Sequence, residues 1–204
     1  MFDQVVVGVN FGPGGDAAVA LALALISPEG RMTLTNIVPS DPTVFRGRRD
    51  DMLLAECARS LSLLERERSL VHLTLGGEAP FRIETSALAA ASPGRGLHAV
   101  AGRRRADLIV VGASRQGGLG RVLLGDDTRS TLRGAQCAVA VAPRGYDGVT
   151  AGDPSGLSRQ ADLLVVDPGR RSERLARMTE CPLLVLAPPS APGARGPRAA
   201  SGAA

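Results

Sequence analysis

The chain contains no lysine and no tryptophan, and only one tyrosine and four phenylalanines among its 204 residues. Without lysine there can be no phosphate loop of the GK[ST] type. Scarce aromatics remove the stacking surfaces on which single-stranded nucleic acids rest. The net charge of +4 comes from arginine alone, and the arginines are scattered. The one tight basic run, "GRRRAD" at Gly102 to Asp107, reads as a solvated helix end, where cations suit the negative pole of the helix dipole. No nucleic-acid partner is expected.

Cysteine is equally sparse. Cys57, Cys137 and Cys181 are odd in number and far apart, with no CxxC and no Cys/His cluster. That excludes a disulfide framework and a zinc site and leaves them as small buried hydrophobes. The longest apolar stretch, Ala17 to Ile26, is much shorter than the ~20 residues a membrane span needs. The opening "MFDQVVVGVN" enters a strand without a basic leader, so a cytoplasmic, soluble protein with no membrane partner is expected.

What is present is an alternation of apolar runs and helical patterns. Val5 to Val9 reads as a strand, followed by "NFGPGGD" as a turn, with Asp16 as N-cap of an Ala/Leu helix ending near Ser27 and Pro28. Met32 to Val38 is a second strand. A helix from Asp50 carries Leu54, Cys57, Ala58, Leu61 and Leu64 as its inward face. Phe81 to Leu88 is the third strand, with Val71 to Leu75 as a competitor. Ser92 then caps a helix with Pro93 at its first position. "ADLIVVG" is the fourth strand, a helix runs from Thr128 to Arg133 and stops at Gly134, and "CAVAVAP" is the fifth strand. Continuous apolar strands separated by helices predict an α/β fold: an open parallel sheet with helices on both faces.

After Pro143 the composition changes. Residues 144–160 read as a linker, 161–188 as a truncated repeat and 189–204 as a disordered tail of small residues and proline. The repeat is legible in "ADLLVVD" and "CPLLVLA", which echo "ADLIVVG" and "CAVAVAP". From alanine to cysteine is 31 positions in the first copy and 20 in the second. The missing residues correspond to the glycine-rich segment after Gly112.

That segment, "GASRQGGLGRVLLGDDTR", follows a strand and precedes a helix, as a phosphate cradle does. Other readings fit it less well. Around Ser114 a nucleophile elbow would need glycine at Gln116, and both histidines, His72 and His98, precede the serine, so both read as surface or packing residues. Earlier in the chain, Gly12, Gly14 and Ala17 match a dinucleotide fingerprint, but the acid expected after the second strand is Asn36, so these read as turn glycines. Asp126 and Asp127 diverge by about 100° on a helix, which suits an N-terminal cap better than a metal pair.

Taken together, "VVVGVNFGPGGDAAVALALAL", "MTLTNIV", "ADLIVVGASRQGGLGRVLLGDD" and "CAVAVAP" resemble the universal stress protein family over residues 1–143. The resemblance implies a five-stranded parallel sheet in the order 3-2-1-4-5, to which the partial β-α-β repeat is added. It also implies a stress-response regulatory module, non-catalytic, with an adenine nucleotide above the first and fourth strands. Matched positions are Asn10, Phe11 and Gly12 after strand 1, Ile37 near the end of strand 2, and Val111, Gly112, Arg115, Gly117, Gly125, Asp126 and Thr128 around the loop. The family motif G-x2-G-x9-G followed by Ser or Thr keeps Gly112 and Gly125 but has Arg115 and Asp126 at the other two positions. Asn10 stands where the family has aspartate.

Arginine at 115 crowds a backbone that should approach phosphate, though its guanidinium can pair from the side. A carboxylate at 126 costs about 1–4 kcal/mol against a triphosphate unless Mg²⁺ bridges them. The expectation is a degenerate site that binds ATP weakly or not at all, with Mg²⁺ only alongside ATP. The alternative is a working ATP/Mg²⁺ member with slow hydrolysis. The family also implies dimers through strand 5. Here the repeat could cover that edge and leave a monomer, or the edge could pair in a homodimer.

Overall fold

The computed structural model describes residues 1–40, 49–113, 126–143, 145–147, 164–166 and 182–186. The elements are β1 (Phe2–Gly8), α1 (Pro13–Leu25), β2 (Ile26–Pro39), α2 (Arg49–Thr74), β3 (Arg82–Ala90), α3 (Pro93–Arg104), β4 (Leu108–Gly112), α4 (Asp126–Leu132), β5 (Ala138–Ala142), β6 (Leu164–Val166) and β7 (Leu183–Val185). They form one sheet in the order β3-β2-β1-β4-β5-β7-β6. The first five strands are parallel to one another, in the order 3-2-1-4-5. β7 joins β5 antiparallel, and β6 pairs parallel with β7.

Both faces of the central strands are buried, which explains their uninterrupted apolar sequence. One face carries α1 and α2, packing Ala18, Leu21 and Leu64 onto Val5, Val7, Leu34 and Val110. The other carries α3 and α4, with Leu97 and Val100 against Val6, Ile109 and Val139. Asp107 ties the amino ends of the central strands together. Its carboxylate accepts from the Asp3 and Gln4 amides at 2.9 and 3.0 Å. None of the described helices is long and apolar enough to cross a membrane.

Ser92 caps α3 as expected, its hydroxyl accepting from the Arg95 amide, with Pro93 in the first turn. The basic run closes the same helix: Arg105 takes the left-handed cap conformation and Arg104 pairs with Glu84 at 2.7 Å. Gly134 has φ +82° just past α4, which suits its role as a stop.

Four local expectations are corrected. Asp16 is not the N-cap of α1. The helix starts at Pro13 because the chain turns at Phe11 and Gly12, so Asp16 lies in the first turn. Nor does the second strand wait until Met32. Ile26 starts β2 directly, and residues 27–30 are accommodated by an irregularity between the pairs Phe2↔Ile26 and Gln4↔Arg31. Val71 to Leu75 is no strand: Val71 is a buried residue of α2, which ends at Thr74. Finally, the inward face of α2 is turned by about one residue. Leu54 and Leu61 are 68 % and 39 % exposed and Ala58 is exposed too, while Ser60, Leu64 and Val71 are buried. Two overlapping stripes have helical spacing, and the polar Ser60 made the true one look like a surface. Its hydroxyl in fact donates to Asn36 Oδ1 at 3.1 Å.

Candidate functional site

β1 and β4 lie side by side, with Val7 opposite Val110, and the chain leaves them toward opposite faces of the sheet. Such a divergence opens a crevice above the carboxyl ends of the two strands. Asn10, Phe11 and Gly12 form the link from β1 to α1. Phe11 has φ 52° and is 38 % exposed. A non-glycine residue in the left-handed region is uncommon and is held there only when its surroundings dictate it. Across this turn Asn10 Oδ1 accepts from the Gly15 amide at 3.0 Å. Asn10 thereby holds the start of α1 from outside the helix, and Gly12, the N-cap residue, makes no side-chain cap bond of its own.

On the β4 side the backbones meet closely. A side chain at Gly112 would run into the Gly14 carbonyl and Cα, so only glycine lets the first turn of α1 settle on the end of β4. Val111, just before it, is buried among the residues under α3. Ile37, at the end of β2, packs into that same layer, over Gly96 of α3. Thr128 is buried in α4 and its hydroxyl donates to the Gly112 carbonyl at 3.3 Å. Its oxygen therefore pins α4 to β4. Asp126 opens α4, which places Asp126 and Asp127 in the first turn. Arg115, Gly117 and Gly125, with Ser114, lie outside the described residues.

A half-buried polar relay was not legible in advance. Asn36 Nδ2 donates to the Val9 carbonyl at 2.7 Å while Ser60 donates to Asn36, so β1, β2 and α2 are tied together just beneath the crevice. The signal was present as an asparagine at the end of a strand and a serine in an apolar stripe. The histidines serve structure. His98 Nε2 lies 2.7 Å from the Thr131 carbonyl, and His72 Nδ1 accepts from the Ala79 amide at 3.2 Å.

The electrostatics near the start of α1 are negative. Burial, and secondarily the charge on Asp16, hold Glu67 of α2 above the usual carboxylate range. At the opposite end of the sheet, burial and then Asp107 push the half-buried Cys137 thiol up to about 11. A shallow depression also lies at that end, lined by Gln4, Glu29, Arg31, Pro80, Phe81 and Arg82. It is separate from the crevice.

An open α/β sheet wound in both directions from β1 and β4, with glycines where strand and helix start meet, is a doubly wound α/β architecture. A sequence model of the universal stress protein family matches residues 1–143, and the chain belongs to that family. A search of curated proteins found no match. Among solved structures, universal stress protein UspA from Lactobacillus plantarum is similar at a TM-score of 0.53 and 22% identity, over 69% of this chain and 97% of that one. A universal stress protein solved in complex with cAMP is similar at a TM-score of 0.50 and 20% identity, over 70% and 98% of the two chains. At these identities the likeness is one of fold.

Proposed function

We propose that the protein is a non-catalytic regulatory module of the stress response, with a degenerate adenine-nucleotide site between β1 and β4 that binds ATP weakly or not at all. The observation that carries this reading is the bond from the Gly15 amide to Asn10 Oδ1. The first four N–H groups of a helix are its anion-binding donors. In α1 one of them already serves Asn10, and Asp16 adds negative charge in the same turn. The hydroxyl of Thr128 is likewise engaged with Gly112. Among the described residues the crevice still offers the exposed Phe11, whose ring suits stacking on a base, and the close-set backbone of Gly14 and Gly112. The family includes a member solved with cAMP, which supports an adenine nucleotide as the ligand class.

Calorimetric titration of the full chain with ATP, and separately with cAMP, in buffers with and without Mg²⁺ tests this. Dissociation constants weaker than about 0.1 mM, some 5 kcal/mol of binding free energy, are expected. Saturation by micromolar ATP only when Mg²⁺ is present would reinstate the ATP/Mg²⁺ reading, with Asp126 bridged by the cation. Micromolar saturation in both buffers would show that Asn10 yields its amide to phosphate.

A further inference from the structure

We infer that this chain carries both halves of a two-fold strand interface, so that β7 occupies in cis the position a second chain's β5 would take, and the protein is a monomer closed at that edge. The observation is a correspondence of registers. Aligning "ADLIVVG" with "ADLLVVD" and "CAVAVA" with "CPLLVL" makes Leu164 the counterpart of Ile109 and Leu183 the counterpart of Val139. In the sheet Ile109 pairs with Val139, and Leu164 pairs with Leu183. The next two rungs agree as well: Val110↔Ala140 with Val165↔Leu184, and Val111↔Val141 with Val166↔Val185. The second copy has thus kept the pairing of the first although it is eleven positions shorter from its alanine to its cysteine.

The two copies then meet by their equivalent strands. β5 and β7 run antiparallel, with Val139 opposite Val185, Ala140 opposite Leu184 and Val141 opposite Leu183. Equivalent strands paired antiparallel are related by a local two-fold, as in a symmetric dimer. Here its centre falls on Ala140 and Leu184, the middle residue of each strand. The faces obey the same symmetry, since Val139, Val141, Leu183 and Val185 all enter the layer under α3. The order β4-β5-β7-β6 is therefore a palindrome of the duplicated pair.

Side-chain size favours the internal partner over a second chain. β7 presents Leu183, Leu184 and Val185 where another β5 would present Val139, Ala140 and Val141. Leucine opposite the buried Ala140 covers more apolar surface than a second alanine does. Tethering in the same chain adds an effective concentration that a free partner lacks.

Light scattering on the full chain is expected to give the mass of one chain, and a dimer mass would overturn the proposal. Crosslinking then identifies the edge. In a chain with Cys57, Cys137 and Cys181 replaced by alanine, Ala140→Cys with Leu184→Cys places two thiols directly opposite, within disulfide reach. Oxidation is expected to join them within one chain, while Ala140→Cys alone stays monomeric. Covalent dimers from the single variant would mean that β5 pairs with another β5. Bonds between chains in the double variant, or no bond at all, would equally overturn the assignment.

Discussion

The strand pairs β4–β5 and β6–β7 share a sequence pattern and a register, yet they sit in different surroundings. The first lies between β1 and β7, its two strands wholly buried apart from the half-buried Gly112. The second adds three-residue strands at the end of the sheet. Pairing register is set by the strands and by which face must be buried, since a slip of one residue would exchange the two faces. Both pairs keep that register although the second is eleven positions shorter from its alanine to its cysteine.

The largest effect expected from breaking that contrast comes at Gly112, whose counterpart in the second copy is Asp167. Gly112→Val should destabilise the protein by about 4 kcal/mol in urea unfolding, because the obstruction is the Gly14 backbone and cannot swing aside. A loss below about 1 kcal/mol would show that α1 does not rest on β4 as described.

A direct measure of the two copies is the pair Ile109→Ala and Leu183→Ala, each removing a fully buried side chain from the layer under α3. Ile109, enclosed by long strands, is expected to cost about 4 kcal/mol, and Leu183, beside the short β6, about 2 kcal/mol, because the edge can collapse into the space. Equal losses on one cooperative transition would make the second copy as integral to the fold as the first.

The smallest expected effect is one of pH. With its thiol pushed up to about 11 by burial and by Asp107, Cys137 keeps its proton in the folded state after the unfolded chain has begun to lose it near pH 9. Its contribution to stability is therefore fully present below pH 9 and is lost between about pH 9 and 11, with a slope that Cys137→Ala should abolish. In native protein at pH 8, maleimide should label Cys137 slowly, since the thiolate is the reactive form. Comparing its rate with that of Cys181, which occupies the equivalent place before β7, measures how far the two environments match.

Much of this architecture was legible before any coordinates. Uninterrupted runs such as "LIVV" and "AVAVA" announced doubly covered parallel strands, and Ser92-Pro93 and Gly134 marked helix ends by chemistry that acts locally. The errors arose where local rules compete. Asp16 is a good cap, but Pro13 with a turn at Phe11 and Gly12 begins the helix earlier. On α2 the choice between two stripes was made by Ser60 bonding to Asn36, a contact across 24 residues that periodicity cannot register. Asn10, Gly112 and Thr128 were legible as positions at the ends of β1 and β4 and in the helix after them. That Asn10 and Thr128 turn their polar atoms to helix and strand ends was not, because the sequence shows which groups are near one another in the fold and not which neighbour claims them first.

The antiparallel joint between β5 and β7 has a geometric consequence for the molecule's polarity. Reversing direction at that seam points the carboxyl ends of β6 and β7 toward the end of the sheet from which β1 to β5 start. Any binding mouth that the second copy inherited would open at the far end from the first. Two such mouths could not share a ligand across the seam or crowd one another. At the carboxyl ends of β1 to β5 the strands beyond β5 therefore present their amino ends, so the crevice above β1 and β4 is flanked by the starts of β7 and β6 and not by further carboxyl ends.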